Sequence, residues 1–507
     1  MTEMTEMTEM RGKTEMTEKT RLSYSIMAVA IMSGALGDGL LRARPWGLNL
    51  FVWIAVLAVS AADVLDWNHV DLGAGTRWLG VPLMFFAAAI AWRDSPVLKA
   101  LSLIGIVITL AMIFLRSRVR KFRSAGVTDY ALSVLASHFH ALAGAGFLIV
   151  RDIEWKEIPR DKWTKHLAPV GKGLVIALPL LLIFGGLLTS ADVFFSDLVF
   201  RLFDWDFESL FVHSLLIAII GWAVAGLLRG VLPKKENEAA RAERPKFLWL
   251  GVTELAIVLG LLDLLFLSFV VVQFRYFFGG AARVQAVAGL TYAEYARTGF
   301  FELVGVATLV LPLLLAAHWL LRKEKTRDER IFRILAGIQI ALLFVMIISA
   351  LQRMRLYQRE YGLTELRVYT SVFMLWLAVL FLWFTATVLR GRREYFAFGA
   401  VMTGFLAIGG LLAINPDRLI TRVNVEQALA GRNFDDMYIG SLSADAVPEL
   451  IAALPKLNQS QRNALAVRIL QKQSNVESPG WRRWNWSRVE AARILAERER
   501  ELLEYTR

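Results

Sequence analysis

Four ionisable side chains interrupt the apolar stretches between residues 248 and 321: Glu254 and Asp263 in the first, Glu302 and His318 in the second. An acid at the centre of a membrane helix costs about 2.5–3.5 kcal/mol, so it turns toward a partner or a water-filled cavity, where ions, protons or polar substrates are handled. Glu254 and Asp263 are nine residues apart, about 900° around a helix, and so lie on opposite faces. Asp263 and Glu302 fall on consecutive antiparallel runs and could approach through a connector side chain such as Arg297. Glu302 also lies about one turn into its run, where a capping acid favours the positive helix end. Asp192, at the edge of an earlier run, and Glu294, in the connector, complete the candidate acids. The candidate site residues are therefore Asp263, Glu302, Glu254, Asp192, Glu294 and Arg297. With no Cys and six scattered His, no disulfide, thiolate site or HExxH spacing exists. His138 and His140 would point to different faces of a helix. No glycine-rich phosphate loop and no GxSxG elbow occurs, so neither a metal nor a cofactor is expected.

These side chains need membrane helices to position them. Of the 507 residues, 56% are hydrophobic, and runs of roughly 20 apolar residues suffice to cross a bilayer. The central stretch reads as a helix over 248–273, a polar and aromatic connector over 274–298, and a helix over 299–321. Further runs lie at 24–41, 48–65, 78–92 (short), 96–115, 171–189, 212–228, 331–351, 368–389 and 395–414. About eleven spans result, twelve if the weakly apolar 127–150 crosses. Asp38 and Asp63 lie near run ends and are expected to snorkel or cap at the interface. The fold class is all-α: a polytopic helical membrane protein with a small helical extramembrane C-terminal domain.

Residues 1–20 repeat Met-Thr-Glu, and 1–22 read as a disordered, low-complexity tail rather than a signal peptide. An N-terminal bundle with basic loops covers 23–170, a core transmembrane domain 171–414, and the C-terminal domain 415–507. In that tail Ser443, Pro448 and Glu449 mark a helix start. Residues 459–473 and 488–505 read as amphipathic helices, and Trp481, Trp484 and Trp486 read as an interface anchor or as that domain's core, the core being favoured. The net charge of +12 sits in short loops at 116–123, 151–165, 234–246, 322–330 and 390–393. That is the positive-inside pattern, and it argues against nucleic acid as a partner. It places the amino terminus in the cytoplasm and the C-terminal domain outside, together with the acidic, aromatic stretch 192–208 and the central connector.

The segments LTYAEYARTGFFELVGVATLVLP (290–312), SADVFFSDL (190–198), INPDRLITRVN (414–424) and YIGSLSADAVPEL (438–450) resemble a bacterial family of multi-pass inner-membrane proteins defined only by a domain of unknown function (DUF4173/DUF4153-like). The resemblance spans roughly 170–450 and implies a multi-pass protein of the bacterial cytoplasmic membrane. It implies no activity, substrate or catalytic residue. Besides the lipid bilayer, a membrane or periplasmic protein is the partner expected for the outer tail and acidic loop. The function expected is a sensor, assembly or partner-binding role rather than an enzymatic one. The alternatives are a transporter using the intramembrane acids and an enzyme acting on a lipid-linked substrate.

Overall fold

A computed structural model of the chain describes residues 17–70, 75–119, 122–154, 207–232, 249–277, 300–322, 326–432, 434–476 and 480–506, with the isolated positions 177, 184 and 188. The described residues are helical, and the sole strand-like pairing among them is the bridge Leu250–Leu321. The long helices are α1 (Glu18–Leu41), α2 (Leu48–Trp67), α3 (Gly80–Trp92), α4 (Pro96–Arg116), α5 (Val127–Phe147), α6 (Phe207–Val231), α7 (Val252–Phe277), α8 (Phe300–Leu320), α9 (Thr326–Tyr361), α10 (Glu365–Thr387) and α11 (Phe396–Ile414). The tail carries α12 (Pro416–Leu429), α13 (Asp436–Ser441), α14 (Val447–Ala453), α15 (Gln459–Val476) and α16 (Trp486–Tyr505).

Ten helices among the described residues are long and apolar enough to cross a membrane. One runs from Val127 to Asp152, so the segment whose crossing the sequence left open has the length and apolarity of a span. Arg77–Trp92 is shorter, as expected. The expected run 171–189, the Met-Thr-Glu repeats before Thr17 and the acidic stretch 192–208 lie outside the described residues, except for 177, 184, 188, 207 and 208, whereas 18–22, expected in the disordered tail, form the start of α1. No helix after Ile414 among the described residues qualifies as a span.

Two compact units divide the chain: 1–44, 52–72 and 135–233 form one; 45–51, 73–134 and 234–507 form the other. In the first, α1 packs on α6 with little bulk between them. A Cβ at Gly34 would run into the Ile217 carbonyl oxygen; α5 comes as close to α6, where a Cβ at Gly226 would run into the His140 carbonyl oxygen. Lipid is as apolar as leucine, so membrane helices gain little from hydrophobic burial and instead associate by such close contact. Ion pairs hold both ends of the α1–α6 pair. Asp38 meets the His213 ring, which in turn meets Arg42. Asp152 lies 3.2 Å from Lys19 and 2.5 Å from Arg229. Asp38 is thus buried and paired rather than snorkelling, whereas Asp63 is exposed near the end of α2.

In the second unit, Leu259, Phe300, Leu314, Phe332, Phe381 and Phe384 build a core shared by α7 to α10. A separate core around Ile420, Val447, Leu450, Leu465 and Leu495 packs α12 and α14 to α16 together. The tail tryptophans are not part of it. Trp481 and Trp486 are 59% and 54% exposed. The helical pattern buries small and aliphatic residues on the inner faces and leaves these rings outside. Asn415 joins membrane helix to tail in one residue. With φ at 56°, it closes α11 through its N–H to Leu411 and caps α12 by accepting from Arg418. Pro416 at the first position then needs no donor partner.

The close approach at Gly226 predicts that Gly226→Ala lowers the thermal stability of the purified protein by about 1–3 kcal/mol, the usual range for overpacking. Gly260→Ala, at a position open on all sides, is expected to leave it unchanged. Equal melting temperatures for the two variants would show that the backbone contact at Gly226 does not matter.

Candidate functional site

Of the acids the sequence singles out, Asp263 alone is placed inside a bundle. It is 7% exposed, on the face of α7 that carries Leu259 and Phe266, while Leu261, Leu264 and Leu265 point outward. Neither carboxyl oxygen has a hydrogen-bond partner among the described residues. The neighbouring α9, which packs on α7, carries Gln339, fully buried with an amide that is likewise unsatisfied, and Gln273 of α7 shares that condition. Glu254 and Glu302 are exposed in the first turns of α7 and α8, positions where an acid faces the positive helix end. Asp263 is thirteen residues beyond Leu250 and Glu302 nineteen before its partner Leu321. Their depths therefore differ by about 9 Å along the helix axis, and the structure does not bring the two acids together. Asp192, Glu294 and Arg297 lie outside the described residues. No trio of His, Asp or Glu among the described residues could hold a metal.

A second polar centre, not anticipated from the sequence, sits where the tail meets the membrane helices of the same unit. Between α3 and α4 the chain turns through Arg93, Asp94 and Ser95. A helix end leaves backbone groups unsatisfied, and here the tail satisfies them. Asp445 Oδ2 accepts from the N–H groups of Asp94 (2.7 Å) and Ser95 (2.8 Å) at the start of α4. Asn485 caps α16 and donates to the carbonyls of Ile90 (3.0 Å) and Arg93 (2.9 Å) at the end of α3. The acid therefore faces the positive end of one helix and the amide donor the negative end of the other.

Asp445 has no exposed side-chain surface. Its Oδ1 accepts from Ser487 Oγ at 2.5 Å and lies 3.6 Å from the Arg93 guanidinium. The Ser443 hydroxyl stands between Asp417 (2.5 Å) and Asp445 (3.1 Å) and has one proton to offer them. Asp417 also accepts from the Ser443 N–H. Burial pushes the Asp417 carboxyl up from its ordinary value, with Ser443 opposing. Asp94 is the reverse case. Burial alone would raise it, but the Lys99 ammonium at 2.7 Å and the Arg488 guanidinium at 2.6 Å outweigh that and hold it below the usual carboxylate range.

The tail grips a second turn, between α9 and α10. Asn424 accepts from the Leu363 N–H (2.6 Å) and donates to the Leu363 carbonyl (2.8 Å). Gln427 donates to the Gln358 carbonyl, and the Tyr438 hydroxyl accepts from the Glu365 N–H. Gly362 turns the chain at φ 73°, with Asn424 where its Cβ would be. Beside these contacts opens a cavity of 840 Å³, lined among others by Asp94, Lys99, Glu365, Arg468, Lys472 and Arg488.

These features define an all-α, multi-pass membrane protein whose C-terminal helices are hydrogen-bonded to the ends of its membrane helices. The chain belongs to the family described as a domain of unknown function (DUF4153), whose family model matches residues 80–453. The match begins well before the motifs that carry the resemblance, and takes in α3, α4 and their turn. Among curated proteins and among solved structures, none matches this chain.

Removing the Asp445 carboxylate strands buried donors and the Arg93 charge, a change that typically costs about 3–5 kcal/mol. Asp445→Ala is thus expected to lower the melting temperature and to open the tail to protease. Arg493→Ala, at an exposed pair, should do neither, since such pairs contribute about 0–1 kcal/mol. The depressed Asp94 carboxyl stabilises the fold fully above the ordinary carboxylate range, and that contribution is lost as pH falls through its lowered value. Wild type and Asp94→Asn should therefore differ in stability at pH 7 and converge only as pH falls below the ordinary carboxylate range. A difference that stays constant with pH would contradict the assignment.

Proposed function

We propose that the protein is a sensor or partner-binding component of the cytoplasmic membrane. Its C-terminal helices are the receiving part and the ends of α3, α4, α9 and α10 the parts they act on. The observation that carries this reading is the Asp445–Asp94–Asn485 junction. It ties the tail to helix ends rather than to a flexible linker, so displacement of the tail pulls directly on the bundle.

The proposed orientation has the tail outside. In support, α4 and α10 both start at the junction and run to the basic turns 116–123 and 390–393, which therefore lie at the far ends of the helices. Arg367, on the junction side, is occupied locally, donating to the Tyr361 carbonyl and stacking over the Tyr357 ring. A fusion of alkaline phosphatase after residue 476 should be active and one of green fluorescent protein dark. The opposite pair of results reverses the orientation.

Transport is the second reading, favoured by the unsatisfied Asp263 carboxyl and the buried Gln339 amide. One experiment separates the two. In cells lacking the native gene, Asn485→Ala/Ser487→Ala uncouples the junction, whereas Asp263→Asn and Asp263→Leu alter the intramembrane acid. At matched expression, the sensor reading expects loss of complementation from the junction variant only. Loss from both Asp263 variants, with the junction variant active, would transfer the function to the membrane interior.

A further inference from the structure

We propose that the 840 Å³ cavity at the junction binds a phosphate-bearing ligand. The inference builds on the sensing role by naming the chemistry the junction receives. Its volume falls within the roughly 300–1,000 Å³ of small-ligand sites.

Five cations line the cavity, Lys99, Arg468, Lys472, Arg483 and Arg488, against two acids, Asp94 and Glu365. Asp94 is already held between Lys99 and Arg488. Lys472 reaches the Leu442 carbonyl, and Arg468 is paired with Asp436 at 3.8 Å. Arg483 is exposed on the approach. With Asp94 and Asp436 already engaged, the lining is left with an excess of positive charge, which an anion in the cavity balances.

Pro96 and Val97 also line the cavity, while the start of α4 itself is already capped by Asp445. Arginine forks match phosphate oxygens in pairs, and lysine adds a point charge. Met437, Leu442 and Val97 give the same cavity apolar wall, suited to the carbon part of a phosphate ester. Phosphate chemistry reaches this position from two sources, a lipid headgroup or a free phosphate.

The test uses the full-length protein in nanodiscs. Thermal stability and amide exchange at residues 94–99 and 468–472 are measured in phosphatidylcholine discs with and without inorganic phosphate or glycerol 3-phosphate, and in phosphatidylglycerol discs. Stabilisation by the soluble phosphates in phosphatidylcholine identifies a free ligand. Stabilisation by phosphatidylglycerol discs alone identifies a headgroup. In either case Lys472→Gln and Arg483→Gln should weaken the response at least tenfold, while Arg493→Gln retains it. Arg483 is exposed, so its variant folds even where Lys472→Gln does not. No response to any probe, or an undiminished response in Arg483→Gln and in a folded Lys472→Gln, overturns the proposal. Because binding is read without a phenotype, a bound phosphate with intact complementation by the junction variant would refute the sensing role alone.

Discussion

A single buried carboxylate, that of Asp445, sets the arrangement of the second unit. Taking such a charge out of water costs several kcal/mol unless hydrogen bonds replace its hydration. Two backbone N–H groups, two serine hydroxyls and a guanidinium surround it here. Each donor comes from a segment that must be in place for the others to bind: the α3–α4 turn, the loop before α14 and the first turn of α16. Removing any one leaves a charge or a donor unsatisfied. The carboxylate acts as a helix cap supplied from 350 residues away, and capping groups that are usually local become a tertiary constraint.

The helices of the first unit are held differently. Their middles touch through glycine and their ends through ion pairs, so the contact is specific without a large apolar driving force. The intramembrane acid Asp263 belongs to neither pattern. It has neither a capping role nor a counter-charge among the described residues, which is why its position invites a chemical reading where Glu254 and Glu302 do not.

Much of the architecture was legible in sequence because hydrocarbon thickness fixes the length of an apolar run. The helices around Asp263, the two tail helices α15 and α16, and the inward turn of Asp263 followed from periodicity and cost. The helix start at Ser443 was legible as well. The junction was not, since Asp94 and Asp445 are separated by 351 residues and nothing local in Arg93-Asp94-Ser95 announces a distant partner. Its residues did lie within the words that carried the family resemblance: Asp417 and Asn424 in INPDRLITRVN, Ser443 and Asp445 in YIGSLSADAVPEL. Those words had no mechanism until the fold supplied the opposite wall. The tryptophans misled for a related reason. A large apolar ring is as comfortable at a membrane boundary as in a core, and composition does not distinguish the two.

Asn415 gives this architecture a mechanical character. The last turn of α11 and the first turn of α12 share that one residue, so no spare backbone torsion separates membrane helix from tail. A helix that tilts to accommodate a thicker or thinner bilayer then carries α12 with it like the short arm of a crank.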